Sequence, residues 1–430
     1  MSSEWISIPV SEFCLSVRDG THDSPKEVLS GGKNLVTSRH IKGGLLDLST
    51  SYKISDSDCE EINKRSKVDQ WDILFSMIGT VGEVLLVKEP PDFAIKNVGL
   101  FKSKDETTGK WLYYYLQSPN AKEEIYMSMR GSTQQYIPLG ALRSFPIRHP
   151  QSTGEMRGIT DILGTLDDKI ELNRKTNETL EAMAKALFKS WFVDFDPVRA
   201  KVEGRPTGLP SEISDLFPDS FEDSELGEIP KGWKVKSLDK VAHFLNGLAL
   251  QKFPPEDGAP TLPVIKIAQL KKGDSIGADR CSTAVPSDYV VRDGDMLFSW
   301  SGSLAVDIWC GGDGALNQHL FKVTSKTYVK WFFYQWVKHH LPEFQEIAQG
   351  KATTMGHIQR HHLSEAKVLI PPPSLLAAMD SAFTALLDRA FGLRRQAKDL
   401  GSIRDALLPK LISGELRIPD AEKMDEEVGV

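Results

Sequence analysis

The residues best suited to chemistry in this chain are hydroxyl, amide, cationic and glycine residues that lie in short loops. Hydroxyl groups and the bare backbone N–H groups of glycine turns hydrogen bond well to phosphate oxygens and base edges. Arginine, lysine, histidine and glutamine side chains can read bases in a major groove. On these grounds the residues predicted to bind DNA are Arg39, His40, Ser76, Gly79, Thr80, Arg130, Gly131, Ser132, Thr133, Gln134, Lys266, Gln269, Ser299, Trp300, Ser301, Gly302, Lys351, Thr353 and Thr354.

The loops are informative because they occur twice, at an offset of 220 to 223 residues. Three segments of the first half are WDILFSMIGTVGEV (from Trp71), IKNVGLFK and WLYYYL. Their counterparts in the second half are GDMLFSWSGSLAV (from Gly294), ALNQHLFK and WFFYQW. A single polar glycine loop is typical of any turn, but these loops recur at matched positions while their side chains differ. That combination is typical of a duplicated scaffold with two related recognition sites.

The segments that hold these loops predict a mixed fold. Each copy contains a strand-like piece, DILFSMI or DMLFSWS, in which apolar and β-favouring residues are bounded by glycine or proline. The aromatic segments WLYYYLQS and WFFYQWVKHH predict a buried helix packed on that sheet. We therefore expect an α+β fold class with two duplicated compact domains, at residues 1–150 and 231–372.

Each compact domain is followed by a long helix, predicted at residues 151–196 and 373–418. Apolar residues follow a heptad frame from Met156 to Trp191, and the second copy has an equivalent frame. The first helix would be about 54 Å long, which is too long for one small domain to bury. The two helices are therefore predicted to form an intramolecular antiparallel coiled coil with pseudo-two-fold symmetry. The alternative is that each helix is buried separately in its local core.

Polar residues interrupt the predicted helix seam. Asn173 and Asn177 break the heptad frame of the first helix. They either fix the register of the two helices, a known use of buried polar residues, or mark a solvated gap where another subunit docks. The residues assigned to the seam or to partner docking are Asn173, Asn177, Leu180, Leu187, Trp191, Leu393, Leu400 and Leu407.

The negative charge of the chain is concentrated in one segment. The net charge is −7 over 430 residues, and residues 202–230 carry one arginine against eight acidic residues. Residues 197–230, rich in proline, glycine and serine, are therefore predicted to be a solvated acidic linker, and residues 419–430 an acidic tail. Residues 231–372 carry 17 basic and 13 acidic side chains, so the global charge does not exclude a nucleic-acid partner.

Composition excludes a secreted or membrane protein. Four cysteines without a CxxC pair form neither a disulfide framework nor a zinc module, and they fit a reducing compartment. The chain begins without a signal-peptide pattern and contains no run of about 18 apolar residues. We therefore expect a soluble, cytoplasmic protein with no membrane partner.

Catalytic motifs are missing from the sequence. It contains no GxxxxGK[ST], GxGxxG, GxSxG or Asn-Pro-Pro motif, and no nuclease-like cluster of acids with a lysine. We interpret His357, His361 and His362 as part of a basic loop, because no cysteine or acid lies nearby at ligand spacing. The sequence therefore predicts a binding protein with no catalytic residue, no metal and no cofactor of its own.

Three segments resemble the DNA-specificity subunit (S subunit) of type I restriction–modification enzymes. They are LGTLDDKIELNRKTNETLEAMAKALFKSWFVDFDPVRAK, SELGEIPKGWKV and LRRQAKDLGSIRDALLPKLISGEL, and the resemblance extends from Trp5 to about Leu416. It implies two target-recognition domains separated by two long antiparallel helices. It also implies that the subunit binds bipartite double-stranded DNA, each domain reading one half-site, with the helices as a ruler for the unread gap.

The same resemblance implies partners that supply the chemistry. Two methyltransferase (modification) subunits would bring S-adenosylmethionine, and restriction/translocase subunits would bring ATP and Mg²⁺. Two other interpretations remain open from the residues alone. One is an enzyme fusion with its own methyltransferase or nuclease activity, which needs motifs that the sequence lacks. The other is a coiled-coil scaffold that does not bind DNA.

Overall fold

A computed structural model of the chain describes residues 5–350 and 356–418. The described residues fold into two compact units. Unit 1 comprises those of Met1–Ile170 and Asp399–Val430, and unit 2 comprises Glu171–Lys398. Unit 1 is therefore built from two separate stretches of the chain, whereas unit 2 is continuous. The boundaries of the two units do not coincide with those of the predicted segments, because each unit includes part of both long helices.

Unit 1 contains short strands and helices around one main core. Its strands are β1 (Trp5–Pro9), β2 (Ser16–Asp19), β3 (Lys33–Val36), β4 (Ile41–Lys42), β5 (Leu45–Leu46), β6 (Lys53–Ile54), β7 (Ile73–Ser76), β8 (Val84–Leu86), β9 (Phe93–Ile95), β10 (Val98–Lys102) and β11 (Pro146–Pro150). Its shorter helices are α1 (Val10–Phe13), α2 (Asp56–Ser66), α3 (Glu106–Gln117), α4 (Pro119–Ser128) and α5 (Leu139–Ser144), with a 3₁₀ turn at Ser38–His40.

The first long helix, α6 (Thr153–Phe192), leads from unit 1 into the sequence of unit 2. The strands of unit 2 are β12 (Phe221–Ser224), β13 (Gly227–Pro230), β14 (Lys234–Ser237), β15 (His243–Asn246), β16 (Thr261–Ile265), β17 (Arg280–Ser282), β18 (Val290–Val291), β19 (Met296–Ser299), β20 (Val306–Ile308), β21 (Gly314–Leu316), β22 (Leu320–Thr324) and β23 (Lys367–Ile370). Its shorter helices are α7 (Asp196–Val202), α8 (Ser211–Ser214), α9 (Leu238–Val241), α10 (Ile267–Lys272), α11 (Lys330–Gln349) and α12 (Arg360–Glu365), with 3₁₀ turns at Leu250–Lys252 and Ser287–Tyr289; the second long helix, α13 (Pro373–Ser413), follows.

The main sheets of the two units have the same topology. A four-stranded antiparallel sheet has the order β2-β10-β7-β8 in unit 1 and β15-β22-β19-β20 in unit 2. A second sheet has the order β6-β3-β9 in unit 1 and β17-β16-β21-β18 in unit 2, and in each it contains one parallel pair, β3 with β9 or β16 with β21. An antiparallel pair, β1 with β11 or β14 with β23, joins the two ends of each repeat. This recurrence confirms the predicted duplication and the mixed helix and sheet fold.

The central strands form because both of their faces are covered. All four residues of β7 and all four of β19 are buried, as the continuous apolar runs predict. The predicted aromatic helices pack on these sheets: Trp111 of α3 and Trp331 of α11 are both buried. Burying one such aromatic side chain stabilises the fold by about 1.5–3 kcal/mol.

An aspartate–lysine ion pair recurs beside the central sheet of each unit, with its aspartate buried in unit 1 and half-buried in unit 2. Lys102 Nζ lies 2.5 Å from Asp72 Oδ2, and Lys322 Nζ lies 2.9 Å from Asp295 Oδ2. Each aspartate also accepts the backbone N–H of the residue three positions before it, at 2.7 and 2.8 Å. Burial raises the pKa of Asp72, although Lys102 and the backbone donors act in the opposite direction. The pair therefore holds the start of the central strand in both units.

The long helices run antiparallel within unit 1. Arg404 on α13 donates to Asp167 on α6 at 2.7 Å, and Arg417 pairs with Glu155 at 2.6 Å. The later residue of one segment therefore meets the earlier residue of the other. Leucines of both helices share the main core of unit 1. At about 1.5 Å per residue, the 40 residues of α6 span about 60 Å.

The same antiparallel pairing continues within unit 2. Asn173 Nδ2 donates to Gln396 Oε1 at 2.9 Å, and the rings of Trp191 and Phe383 lie 5.8 Å apart. Trp191 and Phe383 are buried in the main core of that unit. The predicted antiparallel helix pair is thus confirmed, and the alternative of two separately buried helices is wrong.

Residues 197–230 are folded, so the prediction of a solvated linker is wrong. They contain most of α7, then α8 and the antiparallel pair of β12 and β13. Val198, Phe217 and Ile229 are buried in the main core of unit 2. The acidic side chains point to solvent, while these few apolar side chains anchor the segment. The predicted acidic tail, residues 419–430, lies outside the described residues.

All four cysteines are buried and free. Burial raises the pKa of the Cys14 thiol to about 12, which makes this thiol unreactive at neutral pH. Within residues 5–350 and 356–418, no helix is both long and apolar enough to cross a membrane.

Candidate nucleic-acid interface

Two loops of unit 1 that the sequence predicts to bind DNA lie side by side. One connects β7 to β8, and the other follows α4. Gly79 in the first loop donates its backbone N–H to the carbonyl oxygen of Gln135 in the second, at 3.1 Å. We call residues 77–83 and 130–136 the paired loops of unit 1.

The second of these loops is closed by its own backbone. Arg130 and Tyr136 exchange backbone hydrogen bonds of 2.8 and 2.9 Å. Gly131 has φ +93°, and a Cβ atom there would lie 2.3 Å from the carbonyl oxygen of Gln134, so only glycine fits. The loop thus turns tightly and presents short polar side chains.

Unit 2 repeats this arrangement at matched positions. Gly302, which follows β19, donates its backbone N–H to the carbonyl oxygen of Gly356 at 2.7 Å. We call residues 299–305 and 356–358 the paired loops of unit 2. Three residues of the second half that the sequence predicts to bind DNA lie outside the described residues: Lys351, Thr353 and Thr354.

The paired loops of unit 1 expose most of the residues that the sequence singled out there. These exposed residues are Gly79, Thr80, Arg130, Gly131, Ser132, Thr133 and Gln134. Guanidinium, hydroxyl, amide and backbone groups therefore lie next to one another without being buried. Such groups suit hydrogen bonds to phosphates and base edges.

Ser76 and Ser299 need a correction, because both are fully buried. Ser76 Oγ donates to the carbonyl oxygen of Thr80 at 2.6 Å. Ser299 Oγ donates to the carbonyl oxygen of Ser303 at 3.0 Å and accepts the backbone N–H of Ala305 at 2.7 Å. Neither hydroxyl reaches solvent, so these serines hold the paired loops in shape and do not contact nucleic acid.

His40 is corrected in the same way. It is 1% exposed, and its Nδ1 accepts the backbone N–H of Thr37 at 2.9 Å. Burial lowers the pKa of His40, which favours the neutral ring that this hydrogen bond requires. In unit 2 the Gln269 side chain accepts the backbone N–H of Lys266 at 3.2 Å. His40 and Gln269 therefore both cap a turn. Arg39, beside His40, is exposed.

Two further predicted residues of unit 2 already have partners within the unit. Ser301 is buried, and its Oγ lies 2.9 Å from Nδ1 of His319. Lys266 is exposed but forms an ion pair with Asp279. Ser301 therefore positions its loop, whereas Lys266 would have to leave its carboxylate partner to contact a phosphate.

The sequence did not point to several polar residues beside the paired loops of unit 2. They surround Trp300, which the sequence did single out and which is half-buried. Its Nε1 donates to Asn246 Oδ1 at 2.8 Å, and its ring lies 5.8 Å from that of His319. Gln318 and His319 stand where the first copy has valine and glycine. That divergence between the copies was the available signal, because a change at matched positions of a duplicated scaffold marks residues that the fold does not require.

The family of the chain is shown by its sequence. It matches the type I restriction modification DNA specificity domain over residues 2–182 and 230–374. The chain belongs to the type I restriction–modification DNA-specificity family.

Two curated members and one solved structure are similar to this DNA-specificity chain. The type I restriction enzyme MjaIX specificity subunit of Methanocaldococcus jannaschii is 27% identical, over 81% of this chain and 78% of the relative. The HindI specificity subunit of Haemophilus influenzae is 24% identical, over 71% of this chain and 77% of the relative. The S subunit of M. genitalium shares the fold, with a TM-score of 0.57 and 16% identity over 95% of this chain and 96% of that chain.

Membership of the DNA-specificity family decides between the interpretations that the residues left open. The family is that of specificity subunits, and catalysis in these systems lies in partner subunits. The enzyme-fusion and non-DNA-scaffold interpretations are therefore not favoured. The predicted resemblance and the predicted lack of a catalytic role in this chain are confirmed by this membership.

The helix seam of this DNA-specificity chain contains most of the residues assigned to it. Trp191, Leu393, Leu400 and Leu407 are buried, and Leu180 and Leu187 are half-buried. Asn173 is buried and bonds across the seam to Gln396, which supports a role in fixing register.

Asn177 differs from Asn173, because its amide bonds within its own helix. Asn177 Nδ2 donates to Glu181 Oε1 at 2.8 Å, and Lys338 Nζ lies 3.0 Å from Glu181 Oε2. Burial would raise the pKa of the Glu181 carboxyl, but Lys338 and Asn177 hold it below its ordinary value. The seam of unit 2 therefore contains an ionised cluster and not a simple apolar stripe.

One histidine cluster in the described part of this DNA-specificity chain has the residue types of a metal site. Ligand atoms of His361, His362 and Glu365 lie within 4.8 Å of one another, so the expectation that no acid stands at ligand spacing is wrong. However, His362 Nδ1 accepts the backbone N–H of Gln359 at 2.9 Å. A neutral imidazole with its lone pair used in this way carries its proton on Nε2 and has no second lone pair for a metal. The cluster therefore offers only two ligands, and we assign no metal to it.

Proposed function

We propose that this chain is the DNA-recognition subunit of a type I restriction–modification complex, and that the paired loops of each unit contact one half of a bipartite duplex target. The observation that carries the proposal is the recurrence of one hydrogen-bonded loop pair in both units. The backbone contact between the loops is kept, with Gly79 and Gly302 as the donors. The exposed side chains around it differ between the units.

In unit 1 the proposed base readers are Arg130, Thr133 and Gln134, all of which are exposed. Arginine donates two hydrogen bonds to guanine, glutamine matches adenine, and a hydroxyl suits several bases. Gly79 and Thr80 sit beside them and offer backbone and hydroxyl contacts to phosphates.

In unit 2 we propose a different set of readers beside the matched loops. Lys351, Thr353 and Thr354 stay candidates from the sequence. Gln318 and His319 are half-buried beside Trp300 and bonded to each other at 3.4 Å, and they would exchange that bond for contacts to base edges. Two half-sites read by different side chains need not form a palindrome.

The partners proposed for the complex are two modification subunits with S-adenosylmethionine and restriction/translocase subunits with ATP and Mg²⁺. This chain carries a net charge of −7, which gives little non-specific attraction to a phosphate backbone. The modification subunits would therefore supply much of the phosphate neutralisation. Because the substrate is DNA, we place the complex in the cytoplasm.

We also propose that the antiparallel helices set the distance between the half-sites. Inserting four residues after Asn177, with four opposite them in α13, adds about one turn or 5.4 Å. The preferred gap should lengthen by one or two base pairs, since one base pair rises about 3.4 Å. Sequencing the methylated sites of a randomised duplex library measures the gap. Changed half-site bases at an unchanged gap would contradict the ruler.

The test of the proposed function compares binding by the chain with and without its modification subunit. A gel shift on a randomised duplex library should show sequence-selective binding only, or far more strongly, with the modification subunit present. Methylation followed by sequencing should return two short half-sites separated by unread base pairs. Methylation or cleavage by the isolated chain would overturn the non-catalytic role. Sequence-independent methylation by the complex would overturn the reading role.

A further inference from the structure

Unit 1 exposes large apolar side chains beside its paired loops. Tyr126 is 67% exposed, Met127 is 78% exposed and Tyr136 is 42% exposed. The other exposed large apolar residues of the described chain are eleven or more positions apart from one another in sequence, whereas these three fall within eleven residues. Clustered apolar exposure marks a surface that binds something, whereas scattered exposure is ordinary. We call these three residues the apolar patch.

The apolar patch lies at the second paired loop of unit 1. Tyr136 closes that loop, and its ring lies 3.5 Å from the Cβ position of Gly131. Tyr126 and Met127 lie at the end of α4, directly before the loop begins at Arg130. The patch therefore belongs to the same exposed stretch of chain as Arg130 and its polar neighbours.

The matched positions of unit 2 lack this feature. At an offset of 220 residues, Tyr126 and Met127 correspond to Glu346 and Ile347 of α11. Glu346 is exposed, and Ile347 is half-buried against the main core of unit 2. Neither position of unit 2 holds an exposed apolar side chain, so the exposure of Tyr126 and Met127 is a feature of unit 1 and not of the shared scaffold.

Duplex DNA offers one apolar group to a side chain in its major groove, the C5-methyl group of thymine. The other base-edge groups there are hydrogen-bond donors or acceptors, apart from the C5–H of cytosine, which has no methyl group to contact. A methionine is flexible enough to follow such a methyl group, and a tyrosine ring presents an apolar face with a polar tip. We propose that Met127 and Tyr136 contact thymine methyl groups in the half-site read by unit 1, an inference that rests on the proposed function.

The proposal makes the two half-sites chemically different. The half-site of unit 1 contains thymine, and its recognition depends on the methyl group itself. In the half-site of unit 2, positions next to the paired loops are read by polar groups. Tyr126, at the edge of the patch, widens the apolar surface that excludes water from these contacts.

The test uses the full chain in complex with its modification subunit. The target is first read from methylated sites of a randomised duplex library. Duplexes are then made in which each thymidine is replaced singly by deoxyuridine, which removes only the methyl group. At one or two positions in the half-site of unit 1, affinity should fall about fourfold, the factor expected for one buried methyl group. The same replacement in the other half-site should have no such effect.

Variants separate a direct contact from a general loss of binding. In Met127→Ala and Tyr136→Ser, replacing thymidine by deoxyuridine should no longer matter at the position that each side chain contacts. Val202→Ala removes an exposed apolar side chain of unit 2 that is not part of its paired loops, and it is the control. Unchanged thermal unfolding verifies that the variants fold.

Three outcomes would overturn the proposal while leaving the proposed function intact. They are a unit 1 half-site without thymine, deoxyuridine replacements without effect, and equal losses in the variants and the parent chain. Loss of assembly with the modification subunit in Met127→Ala, without any methyl dependence, would make the patch a protein interface and refute the contact with thymine. Failure to select any DNA sequence would instead refute the proposed function.

Discussion

Unit 1 and unit 2 have the same strand order in their main antiparallel sheets, the same aspartate–lysine pair and the same hydrogen-bonded loops. The polar residues at and beside these loops nevertheless differ. Unit 1 presents Arg130 and its hydroxyl and amide neighbours, whereas unit 2 surrounds Trp300 with amide and imidazole groups. Backbone bonds and buried side chains specify the loop shape in both units. Exposed positions are consequently free to diverge without loss of the fold.

The units also differ in how the chain builds them. Unit 2 is one continuous stretch, Glu171–Lys398, whereas the described part of unit 1 combines residues 5–170 with residues 399–418. Leu400, Leu407 and Leu411 from the end of α13 are buried in the main core of unit 1. Unit 1 therefore depends on a chain segment far away in sequence, and unit 2 does not.

The largest expected effect comes from removing that segment. Deleting residues 399–430 should unfold unit 1 and leave unit 2 folded. Each buried leucine lost costs about 2–5 kcal/mol, and a domain is stable by only about 5–15 kcal/mol. Hydrogen exchange read by mass spectrometry should show fast exchange across residues 5–170 and retained protection across residues 200–370. Deleting residues 419–430 alone is the control, and protection of unit 1 after the larger deletion would contradict this dependence.

The second-largest expected effect is the loss of stability when the aspartate–lysine ion pair of each unit is broken. Lys102→Met leaves the Asp72 carboxylate buried and unpaired, which should cost about 3–5 kcal/mol in the stability of unit 1. Lys322→Met should cost unit 2 less, since the Asp295 side chain is 23% exposed and that of Asp72 is 2% exposed. Denaturant titrations monitored by hydrogen exchange in each unit measure both losses. Equal losses would show that burial does not set the difference.

The pH dependence of this variant follows from the direction of the pKa shift. Burial raises the pKa of Asp72 in the folded protein above its unfolded value, so the folded state takes up the proton at a higher pH than the unfolded state. The cost of Lys102→Met should therefore shrink as pH falls through that raised pKa, because the unpaired carboxylate becomes neutral. A loss that grows on acidification would contradict this sign.

Loop substitutions test whether the two units read separately. Changing Arg130, Thr133 and Gln134 to Ala should relax recognition in one half-site only, because each lost base contact costs about 1–3 kcal/mol. Changing Lys351, Thr353 and Thr354 to Ala should relax only the other half-site. Methylation of a randomised duplex library, followed by sequencing, reports both halves at once. Coupled changes in both halves would break the two-reader interpretation.

The smallest effect concerns the buried serines. Ser299→Ala removes two hydrogen bonds at 2.7 and 3.0 Å, and Ser76→Ala removes one at 2.6 Å. Each bond contributes about 1 kcal/mol, so Ser299→Ala should loosen its half-site more than Ser76→Ala loosens the other. The library assay measures this difference. Ser303→Ala, which removes an exposed side chain on the same loop, is the control and should change recognition least if the buried hydroxyl is what matters.

Prediction from the sequence was most successful where the signal is local or repeated. The heptad frame from Met156 to Trp191 predicted a long helix and the need for an antiparallel partner, and both are present. Periodicity of this kind involves only residues close together in the sequence, so the helix can be predicted without tertiary information. The 220-residue repeat likewise predicted two copies of one mixed fold, because matched segments of equal spacing fold alike.

Only the tertiary structure decided which polar residues of the loops are available for contact with DNA. Ser76, Ser299, Ser301 and His40 have the residue types of DNA contacts, yet each is buried with a partner inside its unit. Composition could not reveal this, because the partners are backbone or side-chain groups that only the folded loop places within reach. Residue type states what a group can bond to, while burial decides which of those bonds it makes.

The acidic segment, residues 197–230, shows the same limit of prediction from sequence. Its charge, proline and glycine predicted solvation, but Val198, Phe217 and Ile229 find a hydrophobic core formed by residues far along the chain. A few apolar side chains are enough to anchor a polar segment when such a core is present, since each gains about 1.5–3 kcal/mol on burial. The amino-acid sequence by itself determined the duplication, the helices and the chemical types of the loops. The tertiary structure decided which loop groups face solvent and which segments join the core, because both depend on contacts between residues distant in sequence.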